Sequence, residues 1–206
     1  MPRFLIAALS LVLLAACAND QDVDASSERV AAAAFREAGP KSITVMTMVN
    51  NRTGQGGHTA LLIKGSQTVI FDPAGSFRHS KVVEKGDVIY GVSPGILQSY
   101  KSAHARSTFH VVSQEIPVTA AQAERALQLA VSNGSVPGAF CTNASTSLMR
   151  QVPGFQNLTV TFYPTNFMEQ VAGLPNVRTT RLFENDDGDI IDGVRAAELA
   201  ASQNIE

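Results

Sequence analysis

Cys141 and His58 are the two side chains whose types could carry covalent chemistry together. A thiol is a poor nucleophile until it ionises, and the thiolate is stabilised by the open N–H groups of a helix start or by a neighbouring imidazolium. Cys141 has the first of these. After the turn at Val136-Pro137-Gly138, the segment FCTNASTSLMRQV places Cys141, Ala144, Leu148 and Met149 on one stripe, so a helix opens at or just before Cys141 and ends before Pro153-Gly154. A histidine partner has to come from elsewhere in the chain, because catalytic groups meet in space and need not be close in sequence. His58 opens the apolar run GHTALLI directly after Gly56, which puts its side chain at the rim of a sheet rather than inside the core. His104 and His110 read as structural or surface residues, since nothing near them forms a constellation.

The other cysteine, Cys17, belongs to a different chemistry. Arg3 is followed by the apolar run FLIAALSLVLLA and then Leu14-Ala15-Ala16-Cys17, the pattern of a secretory signal with small residues before a cysteine. It resembles the lipobox of bacterial lipoproteins, which implies that Cys17 is lipidated and becomes the mature N-terminus. The apolar run is too short to span a bilayer core of roughly 30 Å as a helix. Ala18, where inner-membrane retention signals carry aspartate, resembles the pattern of outer-membrane sorting. The expectation is a lipid-anchored protein of the bacterial cell envelope, facing the periplasm from the outer membrane, whose partner on this side is the membrane itself. With Cys17 acylated, Cys141 is the one thiol left in an oxidising compartment. It cannot pair within its own chain, so it is either buried or used.

The chain of 206 residues is a prior for one domain with a short tail, and a formal net charge of −2 offers no basic footprint for nucleic acid. Two cysteines and four histidines, spread apart, assemble neither a disulfide framework nor a structural zinc site, and no metal or organic cofactor is expected. The acidic stretch 185–190 resembles part of a calcium loop. Aligning Gly188 at the sixth position leaves Phe183 and Val194 where carboxylates are needed, so it reads as a solvated acidic turn.

The elements that must hold the two candidate residues follow from periodicity. Residues 18–41 read as a polar tether with a short helix over 29–37, stopped by Gly39-Pro40. Runs rich in Val, Ile, Thr and Phe at 43–49, 57–63, 68–73, 87–92 and 107–113 alternate with Gly, Pro, Asn and Ser clusters, the pattern of an antiparallel sheet. Thr119 and Gln122 form a capping box for a helix over 120–132 that Gly134 ends. Pro164-Thr165-Asn166 reads as the cap of a helix through Val171, and 177–183 as a last strand. The folded domain is placed at 42–183, and 184–206 as an acidic turn with a helical tail. The fold class is α+β, an antiparallel sheet packed with helices.

The order of these features, a histidine strand, a strand ending at Asp72-Pro73, a capped helix, then Phe140-Cys141-Thr142-Asn143 at a helix start, resembles the circularly permuted papain-like hydrolases of the NlpC type. These include envelope lipoproteins and the lecithin:retinol acyltransferase group. The resemblance covers roughly residues 43–172, and it implies a permuted papain-like architecture and a thiol hydrolase with Cys141 as nucleophile and His58 as its base. It also implies an orienting residue on the next strand, here Asp72, with His79 as competitor. Peptide amides of the cell wall, or acylated substrates, are the substrate classes it implies. An acyltransferase passing the thioester to another acceptor, and a binding or scaffold module without catalysis, are the alternatives. Phe140 stands where some members carry asparagine before the cysteine.

Register decides whether Asp72 can serve. Pairing Ile63 with Thr68 would put His58 and Asp72 on opposite faces, whereas a three-residue loop at Gly65-Ser66-Gln67 pairs Lys64 with Thr68 and Ala60 with Asp72. The second register, with Gly65 or Ser66 in a left-handed or bulge position, makes Asp72 the same-face diagonal neighbour of His58. That register is the one expected.

Overall fold

The computed structural model describes residues 24–203, so Cys17 and its lipobox lie outside the described residues. Seven strands form one antiparallel sheet: β1 (Ser42–Asn50), β2 (Gly56–Lys64), β3 (Thr68–Phe71), β4 (Val83–Lys85), β5 (Val88–Tyr90), β6 (Phe109–Pro117) and β7 (Arg178–Leu182), in the spatial order β4-β5-β3-β2-β1-β6-β7. The helices are α1 (Ser27–Ala33), α2 (Pro94–His104), α3 (Ala120–Asn133), α4 (Cys141–Arg150), α5 (Pro164–Ala172) and α6 (Ile190–Gln203).

The sheet is covered on both faces. Ile43, Val45, Leu61, Ile63, Val69 and Phe71 point into a core closed by α3, α4 and α5. Met46, Met48, Ala60, Leu62 and Ile70, of the other parity, point into a second core closed by α2 and α6. Strand β1 is accordingly buried at nearly every position, and a strand buried on both faces reads as a continuous apolar run rather than an alternating one. The expected α+β class with an antiparallel sheet is what forms.

Several boundaries differ from expectation for identifiable reasons. Helix α1 stops at Ala33, short of residue 37, because the Phe35 carbonyl turns to accept the Thr68 N–H at 2.8 Å. The segment from Asp24 onward is not a free tether: Ala25 is buried and donates its N–H to Glu84 at 2.9 Å, and the Asp24 carboxylate accepts from Gly86 N–H. The C-terminal helix also belongs to the body. A Cβ on Gly193 would come within 2.6 Å of the Ala103 Cα, so the absent side chain is what lets α6 lie against α2. Helix α5 is capped by Tyr163 with Pro164 as its first residue and no side-chain cap, rather than by Thr165 or Asn166. Helix α2 was not anticipated at all, although Ser93 accepts from Ile96 N–H at 3.3 Å and Pro94 opens the first turn, a regular start signal.

Candidate active site

Strand β2 and its short neighbour β3 set the site. Lys64 pairs with Thr68 and Leu61 with Phe71, the expected register, which carried one residue further puts Asp72 opposite Ala60 and diagonal to His58. Neither Gly65 nor Ser66 adopts the left-handed φ that was one of the two forms expected for the loop, which closes with the Gly65 N–H on the Gln67 carbonyl at 3.1 Å. Because β3 ends at Phe71, the first half of β2 has no partner on that side. The start of α4 fills this notch. Thr142, fully buried, donates its hydroxyl to the Thr59 hydroxyl at 3.1 Å and locks the helix end to the strand. His58 and Asp72 share the face of α2, and Cys141 reaches His58 from the other side through the notch.

The His58 Nε2–H donates to the Asp72 carboxylate at 2.7 Å, and the Cys141 thiol lies close enough to the imidazole that each shifts the other's pKa. With Nε2 committed to Asp72, Nδ1 is the nitrogen left for the sulfur. Burial alone would lower the His58 pKa, but the Asp72 charge, its hydrogen bond and the thiol together raise it to about 10. Burial pushes the Cys141 thiol up, yet the hydrogen bond and charge of His58, with smaller help from Thr142 and the Thr59 backbone, bring it down to about 7. For Asp72, burial raises the pKa and His58, His104 and Tyr100 outweigh it, so the carboxyl stays below its usual range. Between about pH 7 and 10 the arrangement holds a thiolate and an imidazolium side by side.

Four features support this core. Tyr100, fully buried on α2, donates its hydroxyl to the same Asp72 oxygen at 2.7 Å. Burial and the Asp72 charge raise its own pKa well above the usual value, which keeps it a neutral donor. Asp87 braces the two loops: its carboxylate accepts from Ala74 N–H at 3.2 Å, after Asp72, and from Val136 N–H at 2.9 Å, ahead of Cys141. Gly75 leaves room for the carboxylate, since a Cβ there would lie 2.0 Å from Asp72 Oδ2. Finally, Ala139 takes a left-handed φ of 69° two residues before Cys141, a strained conformation for a side chain with a Cβ. No side chain caps α4, so its first N–H groups remain available to a developing oxyanion.

His79 is not drawn into the constellation. Its Nδ1 accepts the Lys81 N–H at 3.0 Å, and its ring stacks toward Phe77. His110 bonds Asn51 at 2.7 Å and stacks on Phe183, a surface arrangement in keeping with expectation. His104 is structural in a closer sense than expected. Its ring lies parallel to His58 at 6.1 Å, and burial, partly offset by Asp72 and deepened by His58, lowers its pKa to about 4. Tyr100 and His104 were missed as site residues because the helix bearing them was missed; the Ser93-Pro94 start and the apolar spacing of Ile96, Tyr100 and Ala103 were the available signal.

Near the start of α4, Phe140, Phe162 and Tyr163 are exposed, with Phe140 and Phe162 edge to face at 5.2 Å. Among the described residues no group of three or more His, Cys, Asp or Glu side chains is placed to hold a metal ion, and no helix is long and apolar enough to cross a membrane. The acidic turn is tied down by Arg106, which donates to the Asp187 carbonyl. The chain matches no family model, no curated protein and no solved structure.

Proposed function

We propose that the protein is a thiol hydrolase of permuted papain-like architecture, anchored through a lipid on Cys17 to the bacterial cell envelope, with Cys141, His58 and Asp72 as its catalytic groups. The observation that carries the reading is the carboxylate-to-imidazole hydrogen bond of 2.7 Å with the Cys141 thiol beside the same ring, at a helix start that no side chain caps. The order of histidine strand, aspartate turn and cysteine helix agrees with it, as does the neutral Tyr100 donor on Asp72.

In this reading the Cys141 thiolate attacks an amide or ester carbonyl and the N–H groups of α4 receive the oxyanion. The His58 imidazolium gives its proton to the leaving group, then takes one from the water that hydrolyses the thioester. Asp72 holds the ring and stabilises its charge. The exposed aromatics beside the helix start offer an apolar rim to the acyl part of the substrate. The test is acylation by an activated ester such as p-nitrophenyl acetate, followed by intact mass. A transient acetyl adduct on Cys141 that decays in water, and is absent in Cys141→Ala, is expected. An unreactive thiol in the native protein would leave a scaffold module instead, and transfer to an added amine or alcohol in preference to water would make the protein an acyltransferase.

A further inference from the structure

Strands β4 and β5 are joined by a two-residue turn, Gly86-Asp87, between the paired Lys85 and Val88. Both turn residues have a left-handed φ, 56° and 61°, as the tight hairpin turn requires. Glycine adopts that conformation without steric penalty and is what such a turn favours at its second position; aspartate tolerates it better than most side chains but less well than glycine. Asp87 nevertheless stands there, and it is buried, at 8% exposure. A side chain held out of water on a less favourable backbone points to a use for that side chain. Asp87 receives three N–H groups. Its carbonyl accepts from Asp72 at 2.8 Å, and one carboxylate oxygen, Oδ2, accepts from both Ala74 at 3.2 Å and Val136 at 2.9 Å.

These contacts join the two loops of the candidate site. Asp72 and Ala74 belong to the loop that supplies the carboxylate. Val136 leads into the loop that ends at Cys141, which is kept short by a turn with the Phe140 N–H on the Pro137 carbonyl at 3.3 Å. Among the described residues the non-glycine positions with a left-handed φ are Ala74, Asp87, Ala139 and Asn176. The first three are the brace and one residue in each loop it joins, Ala74 just beyond Asp72 and Ala139 just before Cys141. Such strain persists only where the surrounding structure holds it, and here one shared acceptor holds both loops. The brace is itself fixed, since the Asp24 carboxylate accepts the Gly86 N–H at 2.9 Å and a Cβ on Gly86 would lie 3.3 Å from the Gly134 Cα, where α3 gives way to the cysteine loop. Resting on the thiol-hydrolase reading, we infer that Asp87 is a positioning residue for the acyl transfer, a strut whose carboxylate fixes the cysteine loop against the Asp72 loop. Thr142 ties the start of α4 to β2 at one point, through Thr59, and Asp87 supplies a second hold on the chain just ahead of the sulfur. Asp87 meets neither the substrate nor the reacting atoms; it acts through the separation of Cys141 from the His58 and Asp72 pair.

The experiment compares the full-length native protein in detergent with Asp87→Gly and Asp87→Asn. Glycine keeps the turn and the backbone carbonyl on Asp72 and removes only the carboxylate, whereas asparagine keeps an acceptor oxygen at the same reach. Acetylation of Cys141 by p-nitrophenyl acetate is read by intact mass, and iodoacetamide rates between pH 5 and 11 on the Cys141 peptide give the thiol midpoint. In Asp87→Gly acetylation should slow by roughly tenfold to a hundredfold, the size of effect that follows a displacement of reacting groups by about 1 Å. The midpoint should rise from about 7 toward the ordinary 9.0 as the imidazole and sulfur draw apart, with circular dichroism unchanged. Asp87→Asn should restore most of both. A merely structural role would lower the stability of the fold and leave the midpoint of the folded protein where it was. A glycine variant that fails to fold is covered by amide exchange in the native protein, in which the Ala74 and Val136 N–H groups should exchange slowly and at similar protection, because one oxygen holds both. A native rate and midpoint in Asp87→Gly, an asparagine variant as impaired as the glycine one, or a Val136 N–H that exchanges as fast as an open loop would overturn the inference while acetylation of native Cys141 still upholds the hydrolase. No acetylation of Cys141 in the native protein would overturn both.

Discussion

Replacing His58 with alanine removes the groups that lower the Cys141 pKa most, its hydrogen bond and its charge, while leaving the burial that raises it. The thiol should return from about 7 at least to the ordinary 9.0. At pH 7 the thiolate fraction then falls from about one half to about 1%, a loss of about fiftyfold. The more basic thiolate is also intrinsically more nucleophilic, by roughly six- to tenfold over two pKa units at a Brønsted slope of about 0.4–0.5. The net fall in alkylation rate at pH 7 is therefore only about five- to eightfold, whereas the midpoint of the profile moves by about two units. The midpoint is the diagnostic quantity. Iodoacetamide rates between pH 5 and 11, read on the Cys141 peptide so that Cys17 does not contribute, give both. Superimposable profiles for the two proteins, or a native midpoint near 9.0, would refute the ion pair and with it the catalytic reading.

Asp72→Asn removes the largest of the influences that raise the His58 pKa, and kcat/KM against any cleaved ester or peptide should fall by about a hundredfold or more as the ring loses its orientation; an unchanged rate would take Asp72 out of the machinery. Gly75→Ala places a Cβ 2.0 Å from Asp72 Oδ2 and should lower the His58 pKa, seen in its imidazole NMR titration, with circular dichroism unaltered; an unmoved titration would contradict the packing. Tyr100→Phe leaves a buried charge one hydrogen bond short and should cost about 1.5–3 kcal/mol in urea denaturation, the loss disappearing in the Asp72→Asn background. Stability against pH should show an acid limb. The unfolded chain protonates His104 below 6.5 while the folded chain keeps it neutral to about 4, so the unfolded state binds the extra proton and stability falls across that window by roughly 3 kcal/mol. Between about 7 and 9 the folded state has released the Cys141 proton and retained that of His58, and the two effects cancel, so the curve should be flat there until the His58 contribution is lost toward 10. Urea midpoints that do not fall between pH 6.5 and 4 would show that His104 is not held neutral. Cys17→Ala should remove the diacylglyceryl mass from the N-terminal peptide of membrane-extracted protein; an unmodified N-terminus beyond residue 17 in the native protein would sink the anchor.

Local patterns were enough for whatever depends on neighbours in sequence. The helix start at Cys141 followed from the turn at Val136-Pro137-Gly138 and the stripe through Met149, because helix boundaries are set by backbone groups a few residues apart. The capping box at Thr119 and Gln122 was legible for the same reason, and both of its hydrogen bonds are made. The alternation in β2 and the length of its loop sufficed to choose the register that sets Asp72 beside His58, since a shift of one residue would turn every apolar side chain of β3 out of its core. Tertiary structure alone decided the rest. That Asp72 has a second donor depends on α2 packing on the same face of the sheet, which brings Tyr100 to it over a separation of 28 residues. That the thiol on one side of the sheet meets an imidazole on the other depends on β3 ending early and leaving a notch, a property of two strand lengths together. The protonation states are the furthest from the sequence. Four histidines with one ordinary pKa become a cation at His58 and a neutral base at His104, because a buried imidazole takes its charge from the balance between lost water and the carboxylate it can touch, and only His58 touches Asp72.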